Sequence, residues 1–232
     1  MTARLFADPQ FPAVPVVGAA ALYPVHRIFC VGRNYEDHAK EMGDTTVGRE
    51  APFYFMKDAS SVIPSGSTMA YPPGTQNLHH EVELVVYLGA PLFQADLAEA
   101  AAAVYGYGVG LDMTRRDLQN AAKKTGRPWD FGKNFEQGTV LADLTPAAAF
   151  TPADQRISLA VDGVVRQDGR LSDMVWNVPE ILADLSKYYH LRAGDIVMTG
   201  TPSGVGAVVS GQVLAGAVAG LSELALIIGE VA

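Results

Sequence analysis

The chain has 232 residues, of which 49% are hydrophobic and 18% are charged, a composition typical of a globular protein with a substantial core. Its formal net charge of −8 supplies no basic face for phosphate groups and therefore argues against a nucleic-acid-binding protein. The single cysteine, Cys30, excludes a disulfide framework and favours a reducing cytoplasm as the location of the protein.

The N-terminal segment is rich in proline and alanine, and we interpret residues 1–22 as an appendage to one domain formed by residues 23–232. The first residues lack the basic segment and apolar run that a signal peptide requires. The most apolar tract, residues 205–221, is interrupted by glycines and polar residues. We therefore predict strands and turns there rather than a membrane span.

Short strands and short helices follow one another along the chain. The patterns predict, in order, a strand at 26–32, a helix in "NYEDHAKEMG" that Gly43 ends, strands at 52–56 and 77–89, a helix at 95–104, a strand at 105–113, a helix that Thr114 caps and Gly126 ends, a hairpin at 157–169 with its turn at Asp162-Gly163, a helix at 177–190 that Asn177 caps, and a strand at 194–206 that ends in a glycine-rich loop. Because strands outnumber helices and their order is irregular, we predict an α+β fold rather than a doubly wound one.

Two glutamates occupy alternate positions of the predicted strand at 77–89. Glu81 and Glu83 project from one face, because side chains at i and i+2 of a strand point the same way. Two ionised carboxylates so close repel each other unless a cation, a proton or a basic side chain lies between them, and Mg²⁺ suits oxygen ligands. Asp112, which ends the strand at 105–113, is the candidate third ligand. The alternative is a pair of exposed glutamates on an edge strand.

A histidine and a glutamate share one face of the predicted helix in "NYEDHAKEMG". His38 and Glu41 stand at i and i+3, so their side chains are neighbours. A carboxylate orients an adjacent imidazole and raises its basicity, so such a pair can take a proton from water. The alternative is an ordinary exposed helix with scattered charges.

A third group of polar residues follows Asp112. Arg116 and Gln119 stand at i and i+3 of the predicted helix, and Lys133 lies beyond it between aromatic residues in an irregular segment. Positive groups near a bound metal indicate an anionic substrate, a carboxylate or an enolate. The alternative is surface solubility, the role that we assign to Lys123 and Lys124.

The loop "TGTPSGVG" at residues 199–206 is not a phosphate-binding loop of the Walker type, because no Gly-Lys-Ser/Thr sequence follows it. Its backbone amides and the Thr201 hydroxyl could still hold a carboxylate. A plain turn is the alternative.

Five motifs in this order resemble the fumarylacetoacetate hydrolase family, in particular its short acylpyruvate and fumarylpyruvate hydrolase branch. The motifs are "IFCVGRNYEDHAKEMG", "LHHEVELVVYLG", "GYGVGLDMTRRDLQ", "GRPWDFGKNF" and "GDIVMTGTPSGVG", and they cover nearly the whole chain from about His26. The resemblance implies a mixed, mostly β fold with a rolled β-sheet and few short helices. It also implies that residues 23–232 are a catalytic domain and that the protein is a homodimer.

The resemblance further implies a role for each candidate residue. Glu81, Glu83 and Asp112 would hold Mg²⁺ or Mn²⁺. Because the segment is short, charged and glycine-terminated, we predict that residues 34–48 form a lid that is mobile without ligand and ordered with it. The other implied residues are the catalytic His38, Glu41 and Lys133 and the substrate-binding Arg33, Arg116, Gln119 and Thr201.

The activity that the resemblance implies is cleavage of the carbon–carbon bond of an acylpyruvate, a 2,4-dioxo acid, by a metal-dependent hydrolase. Fumarylpyruvate, which would yield fumarate and pyruvate in aromatic-compound catabolism, is the expected substrate. The alternatives are an oxaloacetate decarboxylase or tautomerase and a decarboxylase or isomerase of a ring-cleavage pathway. A metal-binding protein without activity would need neither the histidine–glutamate pair nor the lysine. The expected partners are a small anionic 2-oxo acid and a second copy of the chain, with no nucleic acid and no membrane.

Overall fold

The computed structural model describes residue 5 and residues 10–41 and 49–231. Residues 42–48 of the predicted lid thus lie outside the described residues. The strands are β1 (Ala13–Pro15), β2 (Leu22–Pro24), β3 (Arg27–Gly32), β4 (Phe53–Lys57), β5 (Val62–Pro64), β6 (Thr68–Tyr71), β7 (Leu78–His80), β8 (Val82–Leu88), β9 (Val104–Asp112), β10 (Thr114–Arg115), β11 (Thr139–Leu141), β12 (Thr145–Pro146), β13 (Arg156–Val161), β14 (Val164–Arg170), β15 (Asp195–Met198), β16 (Gly206–Val208), β17 (Val213–Val218) and β18 (Leu224–Val231). The helices are α1 (Glu36–Glu41), α2 (Leu97–Ala102), α3 (Arg116–Thr125), α4 (Asp130–Lys133) and α5 (Val178–Leu185), with short 3-10 helices at Ala59–Ser61, Ala147–Ala149 and Leu171–Asp173.

The strands of the described residues form two large sheets and two small ones. The largest sheet has the order β4-β3-β15-β8-β9-β11-β5, and β12 pairs with β9 beside it. A second sheet has the order β14-β13-β17-β18-β6, and the small sheets are β10-β7-β16 and β1-β2. The predicted mixed, mostly β architecture with few short helices is confirmed.

Strand β8 is buried along its whole length in the middle of the largest sheet. Val82 and Leu84 pack in the main core, whereas Val85 and Tyr87 pack in a second, smaller core on the opposite face. A strand that is covered on both faces needs apolar residues at every position, which explains the apolar run after the glutamates. Glu83 is the exception, and it shares the face of Val85 and Tyr87.

Glycines in β9 allow it to lie close against β8. A Cβ atom at Gly110 would lie 2.6 Å from Cγ2 of Val85, and one at Gly108 would lie 3.1 Å from the ring of Tyr87. The pairing of the two strands continues to their ends, where the Asp112 amide donates a hydrogen bond to the Glu81 carbonyl oxygen at 2.9 Å. The glycine-rich sequence of β9 therefore brings Asp112 beside the glutamates.

Helix α3 ends as predicted but begins differently. Gly126 terminates it in the left-handed conformation, with φ of 63°. Thr114 does not cap it, because Thr114 belongs to β10 and its hydroxyl donates to the Asp112 carbonyl oxygen at 3.1 Å. The position before the helix is occupied by Arg115, which makes no side-chain capping hydrogen bond.

Helix α5 is capped by Asn177 as predicted, since the Asn177 side chain accepts a hydrogen bond from the Glu180 amide at 3.1 Å. The helix ends at Leu185, five residues before the predicted end, where the Ser186 hydroxyl donates to the Ala183 carbonyl oxygen. In the described part of the chain, no helix has the length and hydrophobicity that crossing a membrane would require.

The described part of the N-terminal segment packs against the rest of the chain. Strands β1 and β2 pair in antiparallel fashion, and Val14 and Val16 are buried in the second core beside Tyr23. The boundary that we place at residue 22 remains a prediction.

Candidate metal centre and catalytic site

Three carboxylates meet at the ends of β8 and β9. Glu81, Glu83 and Asp112 are 4%, 2% and 0% exposed, and each offers a carboxylate oxygen within 4.8 Å of the other two. Because β8 lies in the interior of the largest sheet, the interpretation of these glutamates as exposed residues of an edge strand is wrong.

Three cationic side chains surround this cluster. The Lys133 ammonium donates to Oε2 of Glu81 and to Oδ2 of Asp112, both at 2.6 Å. Arg116 donates from Nη2 to the other oxygen of Glu81, and Lys57 donates to Oδ1 of Asp112 at 2.8 Å. Such pairing offsets much of the cost of burying charged groups.

The pKa values of the two glutamates shift in opposite directions. Burial alone raises the pKa of Glu81, but Lys133 and Arg116 outweigh it and hold that pKa well below its usual range. The pKa of Glu83 is raised well above its usual range by burial and by the charges of Asp112 and Glu81. Glu83 accepts a hydrogen bond from the Gly200 amide at 2.7 Å and, among the described residues, forms no ion pair with a cationic side chain.

These residues fit a hard divalent cation. Three buried carboxylate oxygens within 4.8 Å of one another form the kind of donor set that Mg²⁺ and Mn²⁺ prefer. A cation beside Glu83 would also remove the electrostatic penalty that raises the pKa of this carboxyl group.

Lys57 belongs to the centre although its position in the sequence did not indicate it. Its ammonium donates to Asp112, to the Met113 carbonyl oxygen at 3.2 Å and to the Lys133 carbonyl oxygen at 2.5 Å, and the residue is 2% exposed. These three hydrogen bonds use all the donors of the ammonium group. Lys57 therefore fixes the position of the Asp112 carboxylate and links it to Lys133, the last residue of α4.

Lys133 is buried at the end of α4 rather than in an irregular segment. Burial lowers its pKa, but Asp112 and Glu81 outweigh this effect, and the net pKa lies above the ordinary value. Lys133 is therefore a cation at neutral pH, suited to stabilising negative charge and not to accepting a proton.

Helix α1 brings His38 and Glu41 together beside the carboxylates. His38 Nδ1 lies 3.4 Å from Oε2 of Glu41, and only 9% of His38 is exposed, unlike the residues of an ordinary surface helix. Burial lowers the pKa of His38 below its ordinary value of 6.5, while the charges of Glu81 and Glu41 oppose the shift. In the tautomer with the proton on Nδ1, Nε2 of a neutral His38 can accept a proton.

The backbone amides of the glycine-rich loop at residues 199–206 bind carboxylates, as predicted. These carboxylates are side chains of the protein itself and not groups of a substrate. Besides the Gly200 amide on Glu83, the Gly204 amide donates to both oxygens of Glu41, at 3.2 and 3.1 Å. Gly204 adopts φ of 94°, a conformation that favours glycine. The interpretation of this loop as a plain turn is therefore wrong.

Thr201 is buried in the same loop with its hydroxyl bound by the protein. It donates to the Val82 carbonyl oxygen at 2.8 Å and accepts from Nε2 of Gln167 at 2.7 Å. Gln167 also lies 2.9 Å from Nδ1 of His80, which makes His80 a hydrogen-bonding neighbour of the site. Gln167 was not predicted, because it lies on β14, far from every motif in the sequence.

One pocket gathers eight of the ten predicted site residues. They are Arg33, His38, Glu81, Glu83, Arg116, Gln119, Lys133 and Thr201. Asp112 and Glu41 lie behind this lining, in contact with Lys133 and His38. Lys123 also lines the pocket and is only half-exposed, so its interpretation as a surface residue is wrong.

Comparison with known proteins gives a consistent result. The family model described as fumarylacetoacetate (FAA) hydrolase C-terminal matches residues 27–229. A fumarylpyruvate hydrolase of Ralstonia sp is 47% identical over 180 residues, which are 78% of this chain and 94% of the relative. An oxaloacetate tautomerase of Escherichia coli is 43% identical over 199 residues, 85% of this chain and 90% of the relative. The crystal structure of fumarylpyruvate hydrolase from Pseudomonas aeruginosa in complex with Mn²⁺ and pyruvate superposes with a TM-score of 0.94 at 43% identity, covering 98% of this chain and all of that one.

Proposed function

The chain belongs to the fumarylacetoacetate hydrolase family, and on this premise we propose that it is a metal-dependent hydrolase that cleaves the carbon–carbon bond of an acylpyruvate. The leading substrate is fumarylpyruvate, which water would split into fumarate and pyruvate. The observation that carries the proposal is the presence, around one pocket, of three buried carboxylates, a buried histidine–glutamate pair and a buried lysine cation.

The carboxylates of Glu81, Glu83 and Asp112 would hold the metal ion. When bound, Mg²⁺ or Mn²⁺ supplies Lewis-acid polarisation of the substrate's oxo groups. The Mn²⁺ and pyruvate in the similar Pseudomonas structure support an ion of this class and a 2-oxo acid substrate.

His38 and Glu41 would activate the attacking water. Nε2 of His38 takes a proton from water, while Glu41 accepts a hydrogen bond from Nδ1–H and stabilises the imidazolium that forms. The water oxygen bonds to the distal carbonyl carbon of the substrate. The carbonyl electron pair moves to its oxygen and then re-forms the carbonyl as the adjacent carbon–carbon bond breaks. The electron pair of the broken bond remains with the pyruvate fragment as an enolate, which takes up at carbon the proton that His38 removed from water.

The cationic side chains would stabilise the negative charge of the substrate and of the departing enolate. Lys133 carries a full positive charge next to the carboxylates, and hydrogen-bond donors placed where charge develops are a large source of rate acceleration. We assign substrate binding to Arg33, Arg116, Gln119 and Thr201. Some of them also have structural partners: Arg116 holds Glu81, Gln119 accepts a hydrogen bond from Arg116 at 2.6 Å, and Thr201 holds β8.

An oxaloacetate tautomerase or decarboxylase is the second candidate. It is favoured by the 43% identity to the Escherichia coli tautomerase. Neither reaction requires an attacking water, but a tautomerase also needs a base to move a proton at carbon. The metal cluster and the histidine–glutamate pair therefore suit both candidates, and the substrate test separates them.

The decisive experiment is to supply the purified Mn²⁺-loaded protein with fumarylpyruvate, acetylpyruvate and oxaloacetate and to measure each product. We expect pyruvate and the matching carboxylic acid from the acylpyruvates. Turnover of oxaloacetate alone would replace the proposal with the second candidate.

Three further properties complete the proposal. We propose a homodimer, a cytoplasmic location in a pathway of aromatic-compound catabolism, and a catalytic domain formed by residues 23–232. Sedimentation at micromolar concentration tests the first of these, and a monomer would contradict it.

A further inference from the structure

Helix α3 presents a third side chain to the catalytic pocket. Arg116, Gln119 and Lys123 stand at i, i+3 and i+7, which places them on one face of the helix. Arg116 and Gln119 are buried near the carboxylates, whereas Lys123 is half-buried further along the helix and lines the same pocket. Lys124 is exposed and does not line it.

Lys123 also lines a second, wider cavity of about 800 Å³. The catalytic pocket and this cavity share five side chains, so the two are adjacent. The shared side chains are Arg33, Phe55, Lys123, Trp129 and Lys133. A substrate that is held at the carboxylates and is longer than pyruvate would extend past Lys123 into the wider cavity.

The wall between the two cavities is positively charged. The pKa of Lys123 is lowered by burial and by the charges of Arg116 and Arg33, with Glu81 acting in the opposite direction. The wider cavity adds Arg127, and Asp130 is the acidic residue on its lining. An anion that enters here relieves the repulsion among the cations and forms charge-assisted hydrogen bonds.

Aromatic side chains complete this wall. The ammonium of Lys123 lies 4.9 Å from the centre of the Trp129 ring, and Phe53 packs edge-on against the same ring at 4.9 Å. The contact with Trp129 restricts the Lys123 side chain and keeps its charge at the mouth of the pocket. Flat aromatic surfaces also suit a planar, conjugated acyl chain.

We propose that Lys123, with Arg33 on the same wall, forms a distal anion subsite that binds a second carboxylate at the far end of the substrate. The inference rests on the proposed function and narrows its substrate class to 2,4-dioxo acids that carry a carboxylate on the acyl group. Fumarylpyruvate has this second carboxylate, and acetylpyruvate ends in a methyl group instead. Lys123 is a specificity-determining residue in this account and takes no part in the bond-breaking step.

The test compares Lys123→Gln with the matched control Lys124→Gln, because the two lysines are neighbours on one helix and only the first lines the pocket. For Lys123→Gln, we expect kcat/KM for fumarylpyruvate to fall about 10- to 100-fold, the range that follows from losing a hydrogen bond to a charged group. We expect kcat/KM for acetylpyruvate to change less than about threefold, the scale of an ordinary surface substitution. Lys124→Gln should leave both values within that range. Equal losses for both substrates, or the same loss in Lys124→Gln, would overturn the proposal.

A binding measurement keeps the test independent of the hydrolysis that we propose. The probes are 2-oxoadipate and 2-oxohexanoate, which have the same number of carbon atoms but end in a carboxylate and a methyl group respectively. Calorimetry on the Mn²⁺-loaded protein should show tighter binding of 2-oxoadipate to the wild type and to Lys124→Gln, and loss of that preference in Lys123→Gln. A wild type that binds both probes equally would disprove the subsite even if acylpyruvates are hydrolysed. A protein that hydrolyses no acylpyruvate but keeps the Lys123-dependent preference would disprove the activity alone.

Discussion

At the scale of single residues, the most informative side chain is Lys57. A lysine at the end of an apolar strand has no pattern in the sequence that distinguishes it from a surface residue. The antiparallel pairing of β3 and β4 turns it inwards, and its ammonium reaches Asp112, 55 positions further along the chain. The site therefore contains a structural cation that the motifs alone do not reveal.

We expect Lys57→Met to destabilise the metal-free protein by about 1–3 kcal/mol, because it leaves Oδ1 of the buried Asp112 carboxylate without its donor while Lys133 still pairs with Oδ2. Added Mn²⁺ should raise the unfolding temperature of this variant more than that of the wild type, since the ion supplies the missing positive charge. Calorimetric unfolding with and without Mn²⁺ measures both effects.

Lys187→Met is the matched control for this experiment. Lys187 pairs with Asp184 on the surface, where its side chain is 62% exposed, so its removal should change the stability by less than about 1 kcal/mol. If Lys57→Met lost as little stability as Lys187→Met, the ion pair between Lys57 and Asp112 would not stabilise the folded protein.

The His38–Glu41 pair leads to a prediction about pH. The base is neutral His38, whose pKa burial places below 6.5, so kcat/KM should decline only as the pH falls through that lowered pKa. In Glu41→Gln, the loss of the carboxylate charge should move this decline to still lower pH and reduce the hydrolysis rate by about 10²–10⁴-fold. Rate profiles at saturating Mn²⁺ measure both changes.

Oxaloacetate provides the control reaction for Glu41→Gln. Its decarboxylation requires stabilisation of an enolate but no activation of water, so any such activity should fall much less than hydrolysis. Metal affinity should stay near normal, because Glu41 is not one of the three clustered carboxylates. Equal losses in both reactions would show that the pair does not act selectively on water.

At the scale of elements, the loop at residues 199–206 acts as a scaffold for the site. Its amides bind one carboxylate of the candidate metal cluster, Glu83, and one of the proposed catalytic pair, Glu41. The loop thereby couples the position of helix α1 to that of strand β8, although the two belong to different parts of the chain. Glycine is favoured at positions 200 and 204 because the backbone there adopts positive φ angles of 97° and 94°.

A substitution at Gly204 should separate this role from ordinary backbone strain. In Gly204→Ala the new Cβ would lie 2.0 Å from the Arg166 carbonyl oxygen, and φ is already 94°. We expect a loss of about 1–3 kcal/mol in stability and at least about tenfold in hydrolysis, because the loop must shift away from Glu41. Denaturant unfolding and rate assays measure the two quantities.

Gly211→Ala provides the comparison, since Gly211 also has a positive φ of 89° but no atom within 4 Å of a Cβ atom there. It should lose stability from strain and keep its hydrolysis rate. An equal loss of activity in both variants would argue against a specific connection between the loop and Glu41.

Elements with local signals were predictable from the sequence, and those that depend on distant contacts were not. Glycine at the end of α3, asparagine at the start of α5 and the Asp162-Gly163 turn all appear where expected, because each is determined by its own few residues. The Thr114 cap was wrong, since β10 pairs with β7 and draws Thr114 into a sheet.

The candidate site follows the same rule. The spacing of Glu81 and Glu83 and that of His38 and Glu41 were visible in the sequence, because each pair lies within one element. The partners of these groups were not visible: Lys57, Gln167 and the amides of Gly200 and Gly204 come from elements that only the folded chain brings near.

At the scale of the whole molecule, the buried carboxylates link metal binding to stability. A cation held there would relieve the like-charge repulsion that raises the pKa of Glu83, so its binding would stabilise the folded state. Exhaustive chelation should therefore abolish hydrolysis and lower the unfolding temperature, and Mn²⁺ or Mg²⁺ should restore both. Full activity after chelation would contradict the metal site.

The order of strands in the largest sheet also has a consequence for how the protein is made. Strand β15 lies between β3 and β8, and it pairs with β3 across a sequence separation of 168 residues, as the Arg27–Asp195 contact shows. Closing so long a loop is entropically costly, and such contacts are typical of slow-folding proteins. During synthesis, the largest sheet can therefore close only after residues up to Met198 have left the ribosome. The hydrogen bond from the Gly204 amide to Glu41 can form only after a few more residues have emerged. We expect pulse-labelled hydrogen exchange to protect the β15 amides only in the slow refolding phase, because both neighbours of β15 in the sheet are distant in the sequence. Early protection of β15 would contradict this order.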